Sequence, residues 1–120
     1  MKNLIAFFEI PVTDFYQSVN FYHTILGVEL MVAEYNNENM ACFVQDGQTV
    51  GAISYAPDFK PSEHGVLIHF NCEDIDRSIR QVIKQGGSMV IPKTKIQAEG
   101  KGYFAVFADP AGNHIGFYTD

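Results

Sequence analysis

Apolar and polar positions along this chain alternate between strand-like and helix-like periods, and the order of the switches is informative. Leu4 to Val12 is an apolar run with aromatic and β-branched content, which predicts a strand. Asp14 follows as a helix N-cap, with Gln17 three residues on in a capping-box pattern. Phe15, Val19, Tyr22 and Leu26 recur at helical spacing and give that helix one apolar face. Gly27 ends it. Strands are then predicted over about Val28 to Tyr35, Met40 to Gln45 and Thr49 to Ala56, separated by turn signals at Asn36-Asn37 and Asp46-Gly47.

The same order returns in the second half. Val66 to Cys72 reads as a strand, Asp74 as a cap, and Ile75, Ile79 and Val82 as a helix face closed by Gly86-Gly87. Strands are predicted over about Ser88 to Ile91, Tyr103 to Ala108 and His114 to Tyr118, with Asp109-Pro110-Ala111-Gly112 as a turn. Sliding the chain by 60 positions lays Asp14 on Asp74, Ser18 on Ser78 and Gly27 on Gly87. The plan is βαβββ twice, modules of about 1–57 and 64–120 within one domain, joined by the proline-bearing loop from Pro57 to Glu63. The predicted class is α+β: a curled eight-stranded mixed sheet, a cup, with helices on its outer face. A ferredoxin-like sandwich is the alternative, but it leaves three consecutive strands after each helix unexplained.

Composition narrows the function classes. A net charge of −6 with scattered lysines and arginines offers no basic stripe for nucleic acid or an anionic membrane surface. No apolar run is long enough for a membrane span. The opening Met1-Lys2-Asn3 leads into a short apolar segment without a cleavage site, so a cytoplasmic location is expected. Cys42 and Cys72 lie in no metal-binding spacing and read as two reduced, half-buried thiols.

Two stretches carry a family resemblance. Phe8-Glu9-Ile10-Pro11-Val12-Thr13-Asp14 with Ser18-Val19-Asn20-Phe21-Tyr22 and Leu26-Gly27-Val28, and Asp109-Pro110-Ala111-Gly112-Asn113 with Ile115-Gly116, resemble the opening and closing motifs of the glyoxalase/bleomycin-resistance/extradiol-dioxygenase superfamily, the vicinal oxygen chelate proteins. These are scaffold motifs and do not fix a reaction. The resemblance implies metal ligands, usually His, Glu or Gln, on the first and fourth strands of each module. Carried over by position, they fall on Phe7, on Gly51 or Ala52, on Leu67 and on Gly116. None of these side chains offers a lone pair, so no cofactor is expected and a divalent metal is disfavoured.

Strand alternation then assigns the inner wall. If Phe7 and Leu67 face inward, so do Glu9, Pro11, His69 and Asn71, while Phe8, Ile10, Ile68 and Phe70 face the helices. Ser54, Tyr103, Gly116 and Tyr118 on later strands join Phe7, Leu67 and Asn71 as candidate ligand-binding positions. With the first strands side by side, Glu9 and His69 would meet near the pseudo-twofold axis. They are candidate catalytic residues for proton transfer alpha to a carbonyl. The plainer reading is a polar pair that orients a ligand. Glu9, His69 and His114 form a displaced three-ligand alternative. Lys101, between Gly100 and Gly102 in a loop over the cup, reads as a surface lysine or as a partner for an anionic ligand.

Three functions follow. The first is a metal-independent module binding a small organic molecule, as bleomycin-resistance-type relatives do. The second is a glyoxalase-like lyase or isomerase using Glu9 and His69. The third is a divalent-metal enzyme with relocated ligands. By analogy with such small chains, a homodimer is expected.

Overall fold

In the computed structural model, residues 3–120 are described, and Met1 and Lys2 of the opening segment lie outside them. The elements are β1 (Phe8–Pro11), α1 (Phe15–Leu26), β2 (Leu30–Glu34), β3 (Asn39–Gln45) and β4 (Gln48–Tyr55), then β5 (His69–Asn71), α2 (Ile75–Lys84), β6 (Ser88–Lys95), β7 (Tyr103–Ala108) and β8 (His114–Thr119). The doubled βαβββ order is as predicted. The first strand of each module is shorter than expected: residues 3–7 precede β1 outside regular structure, with Leu4 and Ile5 exposed.

Each module folds its own sheet, in the orders β1-β4-β3-β2 and β5-β8-β7-β6. The first strand runs parallel to the last strand of its module, and the other pairings are antiparallel. The expected eight-stranded sheet is therefore two four-stranded sheets, because β1 and β5 each pair with the last strand of their own module rather than with each other. The hairpin between β3 and β4 turns on Asp46 and Gly47, both at positive φ (52° and 77°), as the mirror-type two-residue turn requires. β6 forms one outer edge. It is exposed along its length, contains Pro92, Lys93 and Lys95, and breaks register twice against β7.

Both helices start as the sequence indicates. The Asp14 carboxylate accepts the Gln17 backbone N–H at 3.2 Å, and Asp74 accepts that of Arg77 at 3.1 Å. On α2 the buried residues are the predicted Ile75, Ile79 and Val82. On α1 the buried set is turned from the expected face: Phe15 and Tyr22 belong to it, Val19 and Leu26 are only half-buried, and Ser18, Phe21 and Ile25 are buried as well. The helix touches both modules at once. Phe21 packs on Phe107 of β7 (ring centroids 6.0 Å apart), while Tyr22 meets Phe43 of β3 at 5.9 Å and Phe70 of β5 at 6.3 Å. One continuous apolar core results, and no helix among the described residues is long and apolar enough to cross a membrane. Cys42 and Cys72 are free and half-buried. Burial pushes the Cys72 thiol up, with a hydrogen bond from Ser78 opposing it.

A buried polar clasp joins the modules. The Asp109 carboxylate accepts four hydrogen bonds: from the Tyr22 hydroxyl (2.7 Å), the Asn113 side chain (2.9 Å), and the backbone N–H groups of Ala111 (3.0 Å) and Asn113 (2.9 Å). The Asn113 amide also donates to the Pro11 carbonyl at 2.6 Å, and its oxygen accepts the Ser62 N–H at 3.1 Å. The turn after β7 is thereby fastened to α1, to β1 and to the inter-module loop.

Burial, with the Asp109 carboxylate beside it, pushes the Tyr22 hydroxyl well above its usual 10.0. The folded state thus favours neutral tyrosine. Its stabilising contribution is complete below about pH 10 and is lost as pH rises through the higher folded-state value. Tyr22→Phe removes one hydrogen bond to a carboxylate and should cost about 2 kcal/mol in urea unfolding. The variant should also lose less stability than the wild type between pH 9 and pH 11. Equal pH slopes for the two proteins would refute the linkage.

Candidate functional site

The faces of each sheet follow from register. Phe8 lies opposite Gly51 and Ile10 opposite Ile53, and these face the core. Glu9 lies opposite Ala52 and Pro11 opposite Ser54, on the other face. In module two, His69 opposes Gly116 and Asn71 opposes Tyr118 on that same concave face, which β7 completes with Phe104 and Val106. Within the two strands, Glu9, Pro11, His69 and Asn71 take one face and Phe8, Ile10 and Phe70 the other, as alternation predicts; Phe7, Leu67 and Ile68 precede the strands. Of the two candidates on the fourth strand, Ala52 is inward, whereas Gly51 is capped by the Phe8 ring on the core side.

Tyr103 departs from its expected place. It pairs with Thr119, one step out of phase with Phe104 and Tyr118, so it stands on the opposite face. There Lys93 and Lys95 lie 4.9 and 5.7 Å from its ring centroid. Phe104, its neighbour, takes the concave position.

Glu9 and His69 do not meet. The Glu9 carboxylate accepts the Ser54 hydroxyl at 2.9 Å. The His69 ring lies across Gly116 and edge-on to Phe104, with centroids 6.1 Å apart and planes at 79°. The two strands come close on the core side, where Phe8 and Phe70 rings are 5.8 Å apart, but their concave-face side chains border separate cavities. The first cavity, about 630 Å³, lies between β1, the inter-module loop and the start of β8; Phe7, Glu9, Phe59, Lys60 and His114 border it. The second, about 480 Å³, lies in module two under the 96–102 loop. Its walls are Leu67, Ile96, Ala98 and Phe104, and its polar residues are His69, Lys101 and Tyr118. Both volumes fall in the range of small-molecule pockets.

The displaced metal set does not assemble. Glu9 and His114 share the first cavity, His69 borders another, and no three His, Cys, Asp or Glu among the described residues are grouped as a metal ion requires. His114 instead faces Glu63 at 3.9 Å. His64 also faces Glu63, and the His23 ring bonds the Val28 carbonyl at 2.7 Å.

Residues 4–117 match the model of the Glyoxalase/Bleomycin resistance protein/Dioxygenase superfamily. The chain belongs to this superfamily. It is 28% identical over 121 residues to the anthracycline biosynthesis protein DnrV of Streptomyces peucetius, covering 89% of this chain and 43% of DnrV. Among solved structures it resembles glyoxalase I from Zea mays (TM-score 0.72, 19% identity, 92% of this chain and 43% of that one). It also resembles the genomically encoded fosfomycin resistance protein FosX from Listeria monocytogenes (TM-score 0.72, 16% identity, 100% and 93%). The chain thus spans less than half the length of DnrV and of maize glyoxalase I.

For a superfamily member, the four positions that the resemblance assigns to metal ligands are Phe7, Ala52, Leu67 and Gly116, which do not fit a divalent ion. Position 116 is also sterically closed. A Cβ there would collide with Nδ1 and Cε1 of His69. His69 and a side chain at 116 therefore compete for one volume.

This exclusion is measurable. Gly116→Ala should drive the His69 ring from its seat at a cost of about 1 kcal/mol, and His69→Ala should relieve most of it. A double-mutant cycle by chemical denaturation checks this; additive effects would contradict the shared volume.

Sequence reasoning missed the contribution of the inter-module loop. The sequence places Phe59 and Lys60 in the linker between modules, yet they wall the first cavity. Their signal was an aromatic side chain between two prolines, in a segment otherwise expected to be polar. Phe104 was legible from its parity with Tyr118.

Proposed function

We propose that this superfamily member binds a small organic molecule on its concave faces and does so without a divalent metal. The observation that carries this reading is the His69 ring seated over Gly116, in the volume that a ligand side chain at that position would need. The names of its relatives lend support, since fosfomycin resistance and anthracycline biosynthesis both concern small organic compounds. Purified protein should hold well under one equivalent of Ni, Zn, Fe or Mn by elemental analysis. Its binding of a hit from a small-molecule thermal-shift screen should be unchanged by EDTA. Stoichiometric metal, or loss of binding on chelation, would overturn the proposal.

The reading extends to a homodimer. Phe7, Met31 and Leu67 are 54%, 66% and 41% exposed on or beside the concave faces, which a second copy would cover. A mass near twice 13.4 kDa is expected by light scattering after size exclusion. A lyase or isomerase using Glu9 and His69 as acid and base would require the pair to meet between copies, since within one chain they border different cavities. Loss of a detected turnover in Glu9→Gln, with ligand binding intact, would favour that alternative.

A further inference from the structure

Building on the small-molecule reading, we propose that the cavity of module two selects a planar aromatic carboxylate, its ring held by the apolar walls and its charge taken by Lys101 and His69. The chain carries a net charge of −6, yet no Asp or Glu borders this cavity. Its ionisable residues are His69, Lys101 and Tyr118. A cationic ligand would find no carboxylate on the cavity wall, Asp120 being held behind the Tyr118 hydroxyl, whereas an anion meets the exposed Lys101 ammonium.

The donors that remain free define the recognition. Tyr118 is already committed, since its hydroxyl accepts the Gly102 N–H at 3.0 Å and donates to Asp120 at 2.8 Å. Among the described residues, neither the His69 ring nor the Lys101 ammonium has a hydrogen-bond or ion-pair partner. Imidazole offers at least one N–H in either protonation state, so His69 can donate throughout the neutral range. The remaining walls, Leu67, Ile96, Ala98 and Phe104, are aliphatic or aromatic and suit an apolar ring.

Lys101 is held beside this cavity by its own loop. Ile96 N–H donates to the Gly102 carbonyl at 2.9 Å, and the Lys95 ammonium bonds the carbonyls of Ile96 and Lys101 at 3.1 and 2.7 Å. The loop therefore closes on itself and is pinned to β8 through Tyr118. The larger cavity differs, because an anion there would face Glu9 as well as Lys60.

Three probes of one shape separate the terms: 1-naphthoate, 1-naphthamide and 1-naphthylmethylamine, titrated into the ¹⁵N-labelled full chain. Naphthoate should shift the amides of Leu67, His69 and Phe104 and bind about tenfold more tightly than the amide, while the amine should not bind. Lys101→Gln, an exposed substitution, should lower naphthoate affinity about tenfold and leave the amide unchanged. Equal binding of acid and amide, binding of the amine, absence of binding by naphthoate, or shifts centred on Glu9, Phe59 and His114 would each overturn this proposal. None of those outcomes bears on metal content or on binding after chelation, which decide the metal-independent reading.

Discussion

The arrangement of the two modules depends on one buried carboxylate. Asp109 is 4% exposed, and a charge so placed is tolerated when its acceptor sites are filled. Here two backbone N–H groups of its own turn, a tyrosine hydroxyl from α1 and an asparagine amide fill them. The carboxylate is a strong acceptor, so each donor is drawn to a defined position, and the donors come from elements far apart in the chain. Apolar packing between Phe21 and Phe107 supplies cohesion without direction, while the Asp109 clasp fixes which surfaces meet.

That fixation reaches the larger cavity. The Asn113 bond to Pro11 holds β1 beside the start of β8, and its bond to Ser62 brings the inter-module loop over the same place, which closes the larger cavity. Module two forms its cavity differently, with a long loop after β6 folded back on Tyr118. The repeated βαβββ units are alike in element order and unlike in what lines them, so the pseudo-symmetric pair Glu9 and His69 serve different surroundings.

Much of the architecture was legible in the sequence because local rules determined it. Asp14 and Asp74 capped the helices they were expected to cap, Asp46-Gly47 made the tight turn, and alternation on the first strands sorted Glu9 and His69 from Ile10 and Phe70. What escaped was decided by contacts between modules. The buried face of α1 is turned from the expected stripe toward Ser18, Phe21 and Ile25, because that helix packs on both modules. Glu9 and His69 were expected to meet, but their strands bond within their own modules. Tyr103 was assigned by strand membership rather than parity, and parity placed it on the other face. The volume shared by His69 and Gly116 depends on side-chain position, which no spacing rule supplies.

The outer edge of module two has a consequence for assembly. A strand offering regular N–H and C=O groups invites another chain to extend the sheet. β6 withholds that invitation: Pro92 lacks a donor, two register breaks interrupt the spacing of the rest, and Lys93 and Lys95 would meet like charges on an identical neighbour. Growth of the sheet from copy to copy along this edge is blocked. Contacts between copies at this edge must then come from side chains rather than from backbone pairing.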